Sequence, residues 1–282
     1  RCVRWIGVVL GCSLWLVGAV AFGDAADAHY RLAKTLRDEG RYEEALSEID
    51  AAVTARPSYA QGHITRGSIL RRLGRYEEAL KAFERAIALE PKQGRAYGLA
   101  GAALLRLDRP KDAIVYLKKA VAFEPDHKNH WLNLGVALRK SKNNGAAIAT
   151  YRKGLEAHPN DPELLNNLGV ALRKARRYDE SITAHERAVD ADPYDPASAR
   201  NLAIAYRGAK RYEDAIPIYI KALELGDGGP PELLFDLGSC YEKVGNTEMA
   251  IKTFERYIRA VKKSDPESAN RAERAVENIK KK

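Results

Sequence analysis

Arg41-Tyr42-Glu43-Glu44-Ala45-Leu46 returns 34 residues later as Arg75-Tyr76-Glu77-Glu78-Ala79-Leu80, and four periods after that as Arg211-Tyr212-Glu213-Asp214-Ala215-Ile216. Leu134-Gly135-Val136-Ala137-Leu138-Arg139-Lys140 and Leu168-Gly169-Val170-Ala171-Leu172-Arg173-Lys174 keep the same interval. A fixed period of this size marks a chain built from repeated supersecondary units. Inside each period, apolar or small residues at positions 4, 7, 8 and 11 fall on one face of a first helix, A, and those at positions 20, 24, 27 and 28 on one face of a second, B. One such pair cannot bury its apolar stripe alone, so the pairs must stack.

With position 1 at Ala26, the units run 26–59, 60–93, 94–127, 128–161, 162–195, 196–230 and 231–264. Position 8 reads Ala33, Gly67, Gly101, Gly135, Gly169, Ala203 and Gly238; position 20 reads Ala45, Ala79, Ala113, Ala147, Ser181, Ala215 and Ala250. Small residues at both places let the paired backbones approach closely. Position 27 is small at Ala52, Ala86, Ala120, Gly154, Ala188 and Ala222, and position 32 is proline at Pro57, Pro91, Pro125, Pro159 and Pro193. Proline has no N–H and disfavours a helical residue before it, so it ends helix B. Period and phrasing together resemble the tetratricopeptide-repeat (TPR) family. The resemblance implies an all-α, right-handed superhelical solenoid of about seven helix-turn-helix repeats over residues 24–264, and a role in binding other proteins or peptides rather than in catalysis.

Departures from the pattern carry their own expectations. Gly226-Asp227-Gly228-Gly229-Pro230-Pro231 adds one residue between the sixth and seventh units and reads as a hinge. Asn143-Asn144-Gly145 stands where other units open helix B with acids, and Gly154 lies inside that helix, so this B helix is expected to be the weakest inside the array. Residues 265–282 turn amphipathic again, with Ala272, Ala275, Val276 and Ile279 at helical spacing, which suits a capping helix followed by a basic tail.

The first 23 residues differ from the rest: Arg1 and Arg4 precede an apolar run from Trp5 to Phe22, and charge returns at Asp24 and Asp27. That is the layout of a secretory signal, with Ala21 and Gly23 suiting cleavage before Asp24 and Ala19 and Ala21 offering an earlier frame. Retained, the same run is long enough to anchor the chain in an inner membrane through residues 5–22. Val9-Leu10-Gly11-Cys12 resembles a lipoprotein box, although the following residues stay apolar where a lipoprotein turns polar. The expected location is therefore exported, periplasmic or cell-envelope, with membrane contact only through the N-terminal segment if it is uncleaved. Without Arg1 and Arg4 the formal charge falls from +9 to +7, and without Cys2 and Cys12 only Cys240 remains, too few for an intrachain disulfide.

No nucleophile, metal or phosphate motif stands out against the scaffold, so neither enzyme activity nor a cofactor is expected. The glycines sit at position 8 or in turns rather than in a phosphate loop. His127 and His130 straddle an interhelix turn without a Cys or acidic cluster at ligand spacing and read as surface histidines. His185 stands at position 24, where other units hold Ile49, Phe83, Leu117, Tyr151, Tyr219 and Phe254, and Cys240 at position 10; both read as core positions.

By resemblance, the ligand groove of a TPR array is lined by positions 2, 5, 6, 9, 12 and 13 of helix A. Position 6 reads Asn133, Asn167 and Asn201, then Asp236, similar to the asparagine ladder of O-linked GlcNAc transferases, where such amides hold an extended peptide by its backbone. Asparagine is also common at this position of the generic repeat. Positions 12 and 13 carry Arg37, Arg71, Arg72, Arg106, Arg139, Lys140, Arg173, Lys174, Arg207 and Lys243 against Asp38 and Glu242, so nearly the whole charge excess lies in one stripe. It suits an acidic segment, but the same cations sit in the last turn of helix A, where the helix dipole favours them in any case. The clamp of chaperone-binding TPRs needs asparagine at position 9, which here reads Lys34, Ser68, Ala102, Val136, Val170, Ile204 and Ser239. The expected partner is another protein or peptide, acidic in character; nucleic acid is not expected for an exported chain. Two other roles fit the pattern: a non-catalytic subunit of a glycosyltransferase-type system, and a self-associating structural repeat, including a homodimer.

Overall fold

A computed structural model of the chain describes residues 25–281. The N-terminal signal or anchor, Cys2, Cys12 and the cleavage points before Asp24 lie outside the described residues, as does Lys282. The described chain is helical throughout apart from its turns. Helix α1 covers residues 25–38. It is followed by α2 (Tyr42–Ala55), α3 (Ala60–Arg72), α4 (Tyr76–Leu89), α5 (Gly94–Arg106), α6 (Pro110–Phe123), α7 (Lys128–Lys140) and α8 (Asn144–Ala157). Then come α9 (Pro162–Lys174), α10 (Tyr178–Ala191), α11 (Pro196–Gly208), α12 (Tyr212–Leu225), α13 (Glu232–Lys243), α14 (Thr247–Val261) and α15 (Pro266–Lys280). Odd-numbered helices up to α13 are the A helices, even-numbered ones the B helices, and α15 follows the last pair. Among the described residues no helix is long and apolar enough to cross a membrane.

Each turn from A to B is closed by one residue in the left-handed region. Gly40, Gly74 and Gly245 take φ of 80°, 76° and 79°, while Asp108, Lys142, Arg176 and Lys210 take it at 52° to 62° without being glycine. The recurring Arg-Tyr-Glu phrase comes next. Arg41, Arg75, Arg109, Arg177 and Arg211 each sit one residue before or at the start of a B helix and bond the acid three residues on, as in Arg41 Nε to Glu44 Oε1 at 2.7 Å and Arg177 Nε to Glu180 Oε1 at 2.6 Å. Where the fourth unit lacks this phrase, Asn143 Oδ1 accepts from Ala146 N at 3.1 Å and caps α8 directly. The expected weakness of α8 is thus offset at its first turn.

The chain gathers into two compact units, one ending at Ala137 and one beginning at Leu138. In the first, each helix packs on the next and α3 also touches α5; Ile49, Ile64, Ile69, Leu70, Phe83, Leu104 and Leu117 are its largest fully buried side chains. A β-carbon added at Gly67 would come within 2.5 Å of the Phe83 ring, the physical reason position 8 stays small opposite the large residue at position 24. In the second unit one core runs from Ile182 through Tyr219, Leu223, Leu233 and Phe254 to Ile279 on α15. The inserted residue before α13 is absorbed in a closed turn: Asp227, Gly228 and Gly229 are successively left-handed, and Gly228 N bonds Leu223 O at 2.8 Å. The core continues on both sides of the segment expected to act as a hinge.

Candidate ligand-binding face

The position 12 arginines end the A helices with their stems laid along the packed helix pair, so their guanidinium groups are half-buried rather than free in water. In the first unit Arg71 is such a residue. Its Nε is buried without a hydrogen-bond partner, and burial, with Arg72 and Arg106 nearby, lowers its pKa from the usual arginine value. Arg106 is exposed and lies over the Tyr76 ring, with its Nε donating to the Tyr76 hydroxyl at 3.2 Å. Asn133, on α7, is half-buried.

The second unit holds three successive versions of one arrangement, in which position 12 of one repeat meets position 24 of the same repeat and position 6 of the next. The last version is closed. Arg207 on α11 donates from Nε to the Tyr219 hydroxyl on α12 at 3.1 Å and forms an ion pair with Asp236 Oδ2 on α13 at 3.1 Å, while Tyr219 donates to the same carboxylate at 3.3 Å. Burial lifts the pKa of Asp236, with Arg207 and the Tyr219 hydroxyl pulling it back. Burial and the adjacent carboxylate both raise that of Tyr219.

The other two versions are open. Arg139 and Tyr151 meet at the first, but the position 6 residue is Asn167, whose Nδ2 donates to Glu163 O of its own helix at 2.9 Å. Tyr151 is fully buried with its pKa pushed up to about 12 by burial, and neither its hydroxyl nor Arg139 Nε makes a hydrogen bond of accepted geometry. At the second, Arg173 faces neutral His185, and Asn201 holds position 6. Burial, followed by repulsion from Arg207, lowers the pKa of Arg173. Lys140 and Lys174 are exposed beside these sites.

His185 is fully buried, as its place at position 24 implied, and lies against Gly169. Its Nδ1 pairs with Asn166 Oδ1 at 3.0 Å; Asn166 Nδ2 donates to Ser198 Oγ, which donates to Asp195 Oδ2 at 2.5 Å. Because Asn166 spends its N–H on Ser198, His185 must donate from Nδ1, leaving the lone pair on Nε2, which has no partner. Burial, with the charge of Arg173, pushes this imidazole down to about 4. Cys240 is buried and its thiol is pushed up to about 11.

One sequence expectation fails. His130 is not a surface histidine: it is 4 % exposed, packs against Gly98, stacks on His127 at 4.2 Å and bonds Glu124 Oε2 from Nε2 at 3.0 Å. A glycine one helix away made room for it, and nothing near His130 in the sequence shows that glycine to be its neighbour. Tyr151 and Tyr219 were legible only as core, although the tyrosines at a position otherwise held by Ile, Phe or Leu hint at a hydroxyl with somewhere to go. Elsewhere, a pocket of about 490 Å³ opens between α8 and α10 over Leu155, Leu168 and Leu172, but its arginines are engaged, Arg152 with Glu180 and Arg187 with Pro159 O. Among the described residues no group of His, Cys, Asp and Glu is placed to hold a metal ion.

Profiles described as tetratricopeptide repeat match residues 16–60, 60–93, 94–127, 116–162, 132–196 and 194–263. The chain belongs to the tetratricopeptide-repeat family. Repeats of this family form protein-interaction scaffolds, generally without catalysis of their own. Solved TPR structures share the fold: a protein from Parabacteroides merdae is 17% identical with a TM-score of 0.66, over 91% of this chain and 99% of that one. PilF of Pseudomonas aeruginosa is 18% identical with a TM-score of 0.63, over 78% and 97%. YrrB, described as a TPR protein with an unusual peptide-binding site, is 22% identical with a TM-score of 0.55, over 64% and 97%. A search of curated proteins gives no match.

Proposed function

We propose that this TPR chain is a scaffold or adaptor of the cell envelope that holds an extended, acidic segment of a partner protein against the A-helix face. The observation that carries the reading is a contrast between two sets of arginines. Those that open the B helices are exposed and each is matched with its own acid, whereas Arg71, Arg139 and Arg173 are half-buried on the A helices and have no carboxylate beside them. A partly desolvated cation without an acid is costly to the fold. A ligand carboxylate offsets that cost, which a dipole role in the last turn does not. The apolar run from Trp5 to Phe22 supports export, and N-terminal sequencing of envelope-fraction protein distinguishes a chain starting near Asp24 from one that keeps its anchor.

Fluorescence anisotropy with a labelled, unstructured glutamate-rich peptide tests the binding reading. Wild type should bind with an affinity that falls as salt rises, and Arg139→Gln with Arg173→Gln should weaken binding and flatten the salt dependence. Equal binding of the acidic peptide and its glutamine counterpart would overturn it.

A further inference from the structure

Asp236 departs from the run of asparagines at position 6, and its surroundings say what the other two sites lack. It sits where Asn167 and Asn201 sit in the preceding repeats, and there the arginine and the tyrosine hydroxyl both find partners. One repeat or two repeats back, the same positions end in unsatisfied atoms: Arg139 Nε and the Tyr151 hydroxyl at one, His185 Nε2 beside Arg173 at the other. A 34-residue period places equivalent residues in equivalent surroundings, so the closed site is a template for the open ones. The group missing from both is a carboxylate.

We propose that the second unit carries two carboxylate subsites one repeat apart, centred on Arg139 with Tyr151 and Asn167 and on Arg173 with Asn201, and that Asp236 is a built-in carboxylate filling the third at Arg207. This deepens, and rests on, the reading of the A-helix face as an acidic-segment binder. The Arg139 subsite is the stronger of the two, because the Tyr151 hydroxyl adds a donor that neutral His185, presenting a lone pair, does not. Asp236 sets the limit of the bound segment: it repels a third ligand carboxylate and holds the last repeats of the unit together in place of one.

Spacing selects the ligand further. The A helices α9 and α11 pack side by side, at the roughly 8–10 Å of packed helices, and three residues of extended or polyproline chain span about 9–10 Å. The fitting ligand is an extended peptide whose two acidic side chains are separated by two neutral residues.

Synthetic Gly-Ser peptides with one, two or three glutamates at that spacing provide the probe, read by anisotropy on the full chain. Wild type should gain affinity from the first to the second glutamate and nothing from the third. Arg139→Gln should lose roughly ten- to a hundredfold on the two-glutamate peptide, as for a charge-assisted hydrogen bond, and Arg173→Gln less. Asp236→Asn should open the third subsite, so that the three-glutamate peptide gains about tenfold over the two-glutamate one, a gain that adding Arg207→Gln removes. Should Asp236→Asn fold poorly, Asn167→Asp gives the reverse test: an internal carboxylate beside Arg139 should raise the melting temperature and reduce two-glutamate binding to the one-glutamate level. The subsites are overturned, with the scaffold reading intact, if acidic peptides bind wild type in a salt-dependent way but neither position 6 exchange alters how many glutamates count. If no acidic peptide binds wild type, both readings fall.

Discussion

Gly169 and His185 show how closely the residues of one helix pair constrain each other. A β-carbon at Gly169 would sit 2.5 Å from His185 Nε2, in a site with no room to retreat because the ring is fully buried and tied to Asn166. Gly169→Ala should therefore cost about 1–3 kcal/mol, the usual penalty for overpacking, seen as a lower urea midpoint at unchanged slope. The left-handed turn residues predict the opposite sign. Arg176 is exposed and holds φ at 61°, a conformation that strains any side chain with a β-carbon. Arg176→Gly relieves that strain and loses some unfolded-state entropy advantage, so a net gain of about 0.5–1 kcal/mol is expected. Thermal melts of the two variants should move in opposite directions.

Among the helices, α8 is distinguished by how it starts. Five B helices follow an arginine bonded to the acid three residues on, but these pairs are solvent-exposed and contribute little. In α8 the Asn143 side chain instead satisfies a backbone N–H that would otherwise be left open. Asn143→Ala should cost about 1 kcal/mol, independent of salt. Arg177→Ala should shift stability only slightly, and the shift should vanish at high ionic strength. Denaturant titrations of the two variants at low and high salt separate a cap from a screened pair.

Across the molecule, acid is the condition to which the second unit should respond first. The pKa of His185 is near 4 in the folded chain against an ordinary 6.5, so the native state holds the neutral ring while the unfolded chain takes up a proton. Its contribution is complete above about pH 6.5 and is lost as the pH falls towards 4, at about 1.4 kcal/mol per pH unit. Asp195, on the same network, works in a lower window. Burial raises its pKa, but bonds from Ser198 and Ala197 outweigh burial and hold it below 3.8, so its contribution is lost as the pH falls through that range. In a solenoid each repeat depends mainly on its neighbours, so the loss should be local. Hydrogen exchange at pH 5 against pH 7 should show α9, α10 and α11 opening ahead of α2 to α5, and His185→Phe, the side chain used at this position in other repeats, should flatten the pH dependence between 6.5 and 5.

Much of this architecture is local chemistry and was open to reading from the chain alone. The 34-residue period, the small residues at positions 8 and 20 and the terminating prolines act through the backbone of the segment that contains them, so the helix pairs and their tetratricopeptide character were legible. The basic stripe was legible as composition too. What the stripe does was not, because Arg139, Arg173 and Arg207 look alike in sequence. Only folding sets an aspartate 29 residues away beside Arg207 and asparagines beside the others. The burial of His130 against Gly98 has the same cause. A side chain's partners come from the neighbouring helix, and their distance, exposure and charge exist only once the helices have packed.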